Sequence, residues 1–262
     1  MILTDNKQQT LFYQRLAELC DRCRERYSPE FTNFLDGREL ADAKHFLASQ
    51  NEVRVVCYGG FPDAERCVVG VFPEVIYSEN SDEDLFEMFD IKGVVVKGSG
   101  FSQFAHRDVL GSVLALGVKR ETMGDIYVDG EDKCAYICMM NVAAHFVCEE
   151  LDFVARDKVR CSLVGCNMLP VPERKFSVIA GTVASERLDC IIALVTKLSR
   201  EKAKVLVNSG LVSVNHFPET KCDAILCQND LLSVRGYGRF KVAELGDMTR
   251  KGRTRTVIHK MI

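Results

Sequence analysis

The sequence predicts an α+β protein built as three small domains, and three observations carry that reading. Helical and strand-like apolar periods alternate along the whole chain. Between about residues 90 and 167 the elements run β-α-β-β-α-β, the order of a split βαβ unit. Charge is uneven: residues 1–182 carry 20 basic and 29 acidic side chains, net -9, whereas residues 183–262 carry 14 basic and 8 acidic, net +6. The expected boundaries are 1–82, 83–172 and 173–262.

With 262 residues, 47% hydrophobic and 27% charged, the chain is long enough for several cores and reads as soluble. No apolar stretch approaches the roughly 20 residues of a membrane span, and the start, MILTDNKQQT, lacks a signal-peptide profile. A cytoplasmic protein without membrane contact is expected. Twelve cysteines scattered through apolar patterns then read as free, mostly buried thiols. Cys20 and Cys23 form one C-x-x-C, and Cys161 and Cys166 stand five apart, but no second C-x-x-C completes a zinc set.

The first domain opens with a helix whose spacing runs through Leu11, Phe12, Arg15, Leu16, Leu19, Cys23 and Tyr27, ended by Ser28-Pro29. A second helix follows Asp36-Gly37 through Leu40, Ala43, Phe46 and Leu47. Two strands, EVRVVCYGG and RCVVGVFPEVIY, are joined by a Pro-Asp turn. The acidic stretch Glu79–Asp84 reads as a linker.

In the middle domain, DIKGVVVKG is a strand and HRDVLGSVLALG a helix closed by Gly117. GDIYVDGEDKCAYICMM is a hairpin turning at Asp129-Gly130, NVAAHFVCEELDFV a helix and KVRCSLVGC the last strand. This order is ferredoxin-like, and RNA-recognition modules share it with many unrelated proteins. Their aromatic signature is missing, since CAYICMM offers only Tyr136 for stacking a base. Pro170 and Pro172 mark a second linker, and FSVIAGTVAS is a strand entering the basic domain.

There SERLDCIIALVTK reads as a helix with Ser185 as N-cap, an apolar face of Leu188, Ile191, Ile192 and Val195, and Lys197 at its C-terminal end. Ser199 caps the next helix. On it Arg200, Lys204 and Asn208 fall at i, i+4 and i+8, one stripe beside Lys202, while Ala203, Leu206 and Val207 point to the other side. Like charges four apart cost a helix a few tenths of a kcal/mol, roughly, so phosphates are the natural counter-charge; a solvated outer face is the alternative. Gly210 ends the helix and LVSVN alternates into a strand carrying Asn215. VRGYGRFKV and TRKGRTRTVIHK add Arg235, Arg239, Arg253 and Arg255, the last two sharing one face if they lie in a strand.

Arg187-Leu188-Asp189, Ser199-Arg200, Ala203, Gly210, Val212-Ser213-Val214-Asn215 and the strand NDLLSVRG resemble the RNA-binding domain named after ribosomal small-subunit protein four. Asn229 stands where that pattern has glycine, and Asn tolerates positive φ. AHRDVLGSVLALGVKRETMGDIYV, followed by the basic domain and SVRGYGRF, resembles the bacterial YlmH family in the family's domain order. The resemblance implies a cytosolic, ribosome-associated factor without catalytic activity or cofactor, linked to rescue of stalled large subunits carrying peptidyl-tRNA and to an older cell-division label. Its implied partners are structured RNA, ribosomal and also tRNA, and the large subunit, with no small-molecule substrate evident.

His106-Arg107-Asp108 matches the start of a kinase catalytic loop, but Val113 stands where its magnesium-binding Asn belongs and no glycine-rich loop or D-F-G accompanies it. Asp108 is expected to cap the helix, and His106, Arg107, Lys119 and Arg120 form a candidate second RNA surface. Two other functions stay open: an RNA-modifying enzyme, since such RNA-binding domains accompany pseudouridine synthases, and a cell-division interaction protein.

Overall fold

The computed structural model describes residues 2–100, 105–129, 133–171, 176–249 and 252–261, so Gly130, Pro172, Arg250 and Lys251 lie outside the described residues. The chain divides into two compact units, Met1–Pro172 and Glu173–Ile262.

In the first unit, helix α1 (Ile2–Arg26) buries Leu16, Leu19, Cys20 and Cys23, one face at helical spacing. Strand β1 (Glu30–Leu35) follows, then α2 (Gly37–Leu47), β2 (Val53–Tyr58) and β3 (Cys67–Pro73). Helix α2 starts on a reciprocal cap: Asp36 accepts the Arg38 and Glu39 N–H groups, and Glu39 accepts that of Asp36. The strands pair antiparallel in the order β1-β3-β2. Strand β1 is absent from the sequence reading, because a bulge between Phe31 and Phe34 breaks its alternation.

Short helices α3 (Glu74–Tyr77) and α4 (Asp82–Phe86) come next. The acidic stretch is therefore no open linker. Ser81 caps α4 on the Asp84 N–H at 3.2 Å, Asp82 pairs with Arg54 at 2.5 Å, and Leu85 is buried. Acidic residues at a helix N-terminus complement its dipole, which explains the composition.

The middle elements are β4 (Ile91–Gly98), α5 (His106–Ala115), β5 (Met123–Asp129), β6 (Cys134–Met140), α6 (Asn141–Glu150), β7 (Phe153–Val154) and β8 (Asp157–Val164). They form an antiparallel sheet in the order β5-β6-β4-β8-β7, the ferredoxin-like arrangement with one added short strand. Asp108 accepts the Ala105 N–H at 2.8 Å, and Gly117 takes φ +87 after α5.

Both faces of this sheet are covered. Val94, Val96, Ala135, Ile137 and Met139 bury against α5 and α6. On the opposite face Ile91, Cys138 and Cys166 are buried in one core with Phe34, Val56, Val68 and Phe72 of the three-stranded sheet, and Tyr136 and Val95 lie at its margin. Residues 1–172 thus stack as helix, sheet, sheet, helix. The face on which RNA-recognition modules stack bases is closed by the chain's own N-terminal sheet.

The second unit holds β9 (Phe176–Val183), α7 (Leu188–Thr196), α8 (Arg200–Asn208), β10 (Val212–Val214), β11 (Phe217–Pro218), β12 (Leu231–Val234), β13 (Gly238–Met248) and β14 (Thr254–Met261). Its antiparallel sheet runs β11-β10-β12-β13-β14-β9, and Leu188, Ile191, Ile192, Ala203 and Val207 close its core with Phe240 and Val242. Helix α7 begins later than its sequence suggests. The Leu226 N–H bonds to Glu186, and the Leu188 N–H to Ala224 at 2.8 Å, holding residues 186–187 extended; Arg187, not Ser185, is the N-cap. Asn229 adopts φ 74, the conformation its place in the glycine position requires.

Candidate nucleic-acid interface

The basic side chains of the second unit are organised around one carboxylate. Asp189, in the first turn of α7, is 0% exposed. Arg200 donates to it through Nε at 2.9 Å and Nη2 at 3.3 Å, and Arg187 through Nε at 3.2 Å and Nη2 at 3.5 Å. The arginine side chains remain 36% and 46% exposed, Arg187 and Arg200 respectively. Each keeps Nη1 without a partner among the described residues. Burial works to raise the Asp189 carboxyl, but the bonds from Arg200 and Arg187 outweigh it and hold it below the ordinary value. The same bond raises Arg200. The result is two planar cations clamped edge-on to a buried anion with open sides facing water, a geometry suited to forked contacts with phosphate.

Asp189 enters the sequence reading only within the Arg187-Leu188-Asp189 motif, not as a member of the site. Its signal was an acid at the start of an otherwise apolar helix, LDCIIALV, beside the Ser-Arg of the next. Part of the counter-charge to the basic stripe is therefore internal. Lys204 also has a carboxylate, Glu201 at 2.8 Å, but that pair is an exposed one and yields easily to a stronger anion.

The other candidates fall into distinct places. Ser199 caps α8 on the Lys202 N–H at 3.4 Å, the Lys202 side chain is exposed, and Lys197 occupies the left-handed turn between the helices at φ 58. Asn208 accepts the Cys222 thiol at 3.1 Å, tying the following loop to α8. Asn215 has both ends engaged, donating to Asp230 at 2.8 Å and accepting the Leu231 N–H at 2.9 Å. Arg235 is exposed in the β12–β13 turn, and Arg239 is half-buried on β13. Arg253 lies just before β14 and donates to Thr182, the cross-strand partner of Arg255, so the two arginines lie on one side of the sheet. Strands β14 and β9 form the opposite end of the sheet from β10.

Of the middle-domain candidates, His106, Arg107 and Lys119 are exposed. Arg120 is not part of that surface. Its Nη1 donates to the carbonyls of Met123 and Gly124, at 2.9 and 3.1 Å. Burial, and then the neighbouring Arg66 charge, lower its pKa.

Fold and basic site together define an α+β protein with a positively charged helix pair on a separate C-terminal unit. Residues 8–76 match the family model "YlmH, N-terminal", and residues 86–167 match "Putative RNA-binding domain in YlmH". The chain belongs to the YlmH family. It is 29% identical over 254 residues to ribosome-associated protein quality control protein P2 of Bacillus subtilis (strain 168), covering 97% of this chain and 96% of that relative. A solved structure, the cell division protein ylmH from Streptococcus pneumoniae, is similar over 60% of this chain and 91% of its own, with a TM-score of 0.49 and 19% identity. Among the described residues no helix is long and apolar enough to cross a membrane.

Proposed function

We propose that this chain is a non-enzymatic RNA-binding protein of the bacterial cytoplasm. It holds structured RNA of the ribosome, the large subunit carrying tRNA, in quality control or rescue of stalled translation. The observation that carries this reading is the Arg187–Asp189–Arg200 clamp. A buried carboxylate fixes two half-exposed guanidiniums on a helix pair that also carries Lys197, Lys202 and Lys204. Such a surface meets phosphates and reads the shape of folded RNA rather than its sequence. The quality-control name of the Bacillus subtilis relative supports the ribosome as the setting. In the first unit the sheet face is closed, so RNA contact there falls to the exposed His106, Arg107 and Lys119 at the ends of α5.

The test is sedimentation with isolated ribosomal subunits across a salt series, beside an Arg200→Ala/Lys204→Ala variant. Neutralising five phosphates predicts about a 100- to 500-fold loss of affinity from about 50 to about 200 mM salt, and a shallower slope for the variant. A flat salt response, or equal binding by the variant, refutes the assignment.

A further inference from the structure

Between α1, β1 and the turn at Arg120–Thr122 of the first unit lies a cavity of about 520 Å³. Two half-buried guanidiniums line it, those of Arg66 and Arg120, and they converge on one carbonyl. Arg66 Nε and Arg120 Nη1 each donate to Met123 O at 2.9 Å, and Arg66 Nη2 also reaches Phe34 O at 3.0 Å and Arg120 O at 3.4 Å. Among the described residues neither arginine forms an ion pair. Asp125, the acid that acts most on Arg120, accepts the Glu65 and Arg66 N–H groups at 2.6 and 3.2 Å. Four acids line the cavity too: the carboxylates of Asp36 and Glu39 bond to backbone N–H groups in the cap of α2, and Glu18 and Glu121 are exposed to solvent.

Backbone carbonyls thus hold two like charges side by side in a recess. This is unfavourable for the empty site and favourable once an anion sits between them. The burial and mutual repulsion that lower the Arg120 pKa agree with that picture. The recess far exceeds one phosphate group. Its walls include the half-buried Phe12, and the exposed Arg15 stands on its lining.

We propose that this cavity binds a phosphate joined to a flat apolar group, the chemistry of a mononucleotide, with Arg66 and Arg120 on the phosphate and Phe12 beside the ring. The ligand could be a free nucleotide or the 5′-phosphorylated end of an RNA strand. This site is independent of the basic helix pair in the second unit.

Calorimetric titration of the full chain with GMP, inorganic phosphate and a short oligonucleotide in 5′-phosphorylated and 5′-hydroxyl forms tests it. GMP is expected to bind saturably and more tightly than phosphate. Arg120→Lys should weaken GMP about tenfold through loss of the planar fork, Arg15→Ala about threefold, and Arg200→Ala should leave it unchanged. If circular dichroism shows Arg120→Lys unfolded, Arg15→Ala decides. Preference for the 5′-phosphorylated strand over GMP supports the site with an RNA end as ligand, and the reverse supports it with a free nucleotide. No saturation by GMP or the 5′-phosphorylated strand up to about 10 mM, binding indifferent to Arg15 and Arg120, or binding lost with Arg200 overturns the proposal.

Discussion

Replacing Asp189 by Asn separates charge counting from geometry. The substitution adds one positive charge to an already basic surface, so a long-range electrostatic account expects RNA to bind more tightly. The clamp predicts the opposite, because the amide presents one acceptor oxygen where the carboxylate presented two and repels the second guanidinium with its own N–H groups. Of the four contacts, those at 2.9 and 3.2 Å have good hydrogen-bond length. A bond to a charged group contributes about 1.5–3 kcal/mol, and the half-exposed arginines place these at or below the low end. A loss of about 2 kcal/mol follows, one good contact being retained in weakened form. For a unit the size of Glu173–Ile262 that is a drop of about 8–16 °C in its melting transition. RNA affinity should fall about tenfold, the equivalent of one fixed guanidinium contact. Because the native carboxyl titrates below its unfolded value of about 3.9, its contribution is fully present above that pH and is lost as pH falls through the native pKa. The gap between wild type and Asp189→Asn should be constant near neutrality and close below about pH 4. Calorimetry and filter binding on the full chain measure both. An Asn variant that melts with the wild type, or binds RNA as tightly or more tightly, refutes the clamp.

Three further outcomes are expected. Gly60→Ala places a Cβ against the buried Cys138 sulfur from a backbone at φ +98, and should destabilise the first unit by about 3 kcal/mol in urea unfolding. Alkylation of the native protein should label the exposed Cys227 first and leave Cys23 untouched. Cys23 is buried, donates to Val71 O at 3.4 Å, and is pushed up to about 11 by burial; peptide mass mapping reads the order. Asn229→Gly should be neutral or stabilise by up to about 1 kcal/mol, since φ 74 suits glycine, whereas Asn229→Val should cost about 1–2 kcal/mol in thermal melts.

Much of the fold is legible in the residues because local signals agree with it. Helix α1 shows its face in Leu16, Leu19 and Cys23, and Asp36 marks the start of α2. Strand β1 is not legible, since its bulge hides the alternation, and α4 hides behind a run of acids that composition assigns to a linker. The start of α7 fails for another reason: contacts from residues 224–226, far along the chain, override a good local cap at Ser185. In the basic site the cations on α8 could be read from spacing. Asp189 could not, because its role depends on Arg187 and Arg200 arriving from two helices. Nor could the inward turn of Arg120, which is set by the carbonyls of Met123 and Gly124. The closing of the middle sheet left a trace in unbroken apolar runs such as ICMM and VVV, the mark of strands buried on both faces.

That double burial bears on how the RNA chemistry of this family can be studied. The stretch matching the RNA-binding family model, residues 86–167, omits the sheet that covers it. Cut out alone, it would present Ile91, Cys138 and their neighbours to water on the side where related folds hold bases. Any RNA, detergent or second copy captured there would be replacing Phe34, Val56 and Phe72. Affinities measured on such a fragment would describe a wound rather than a site, and binding by the middle region has meaning only with residues 1–82 in place.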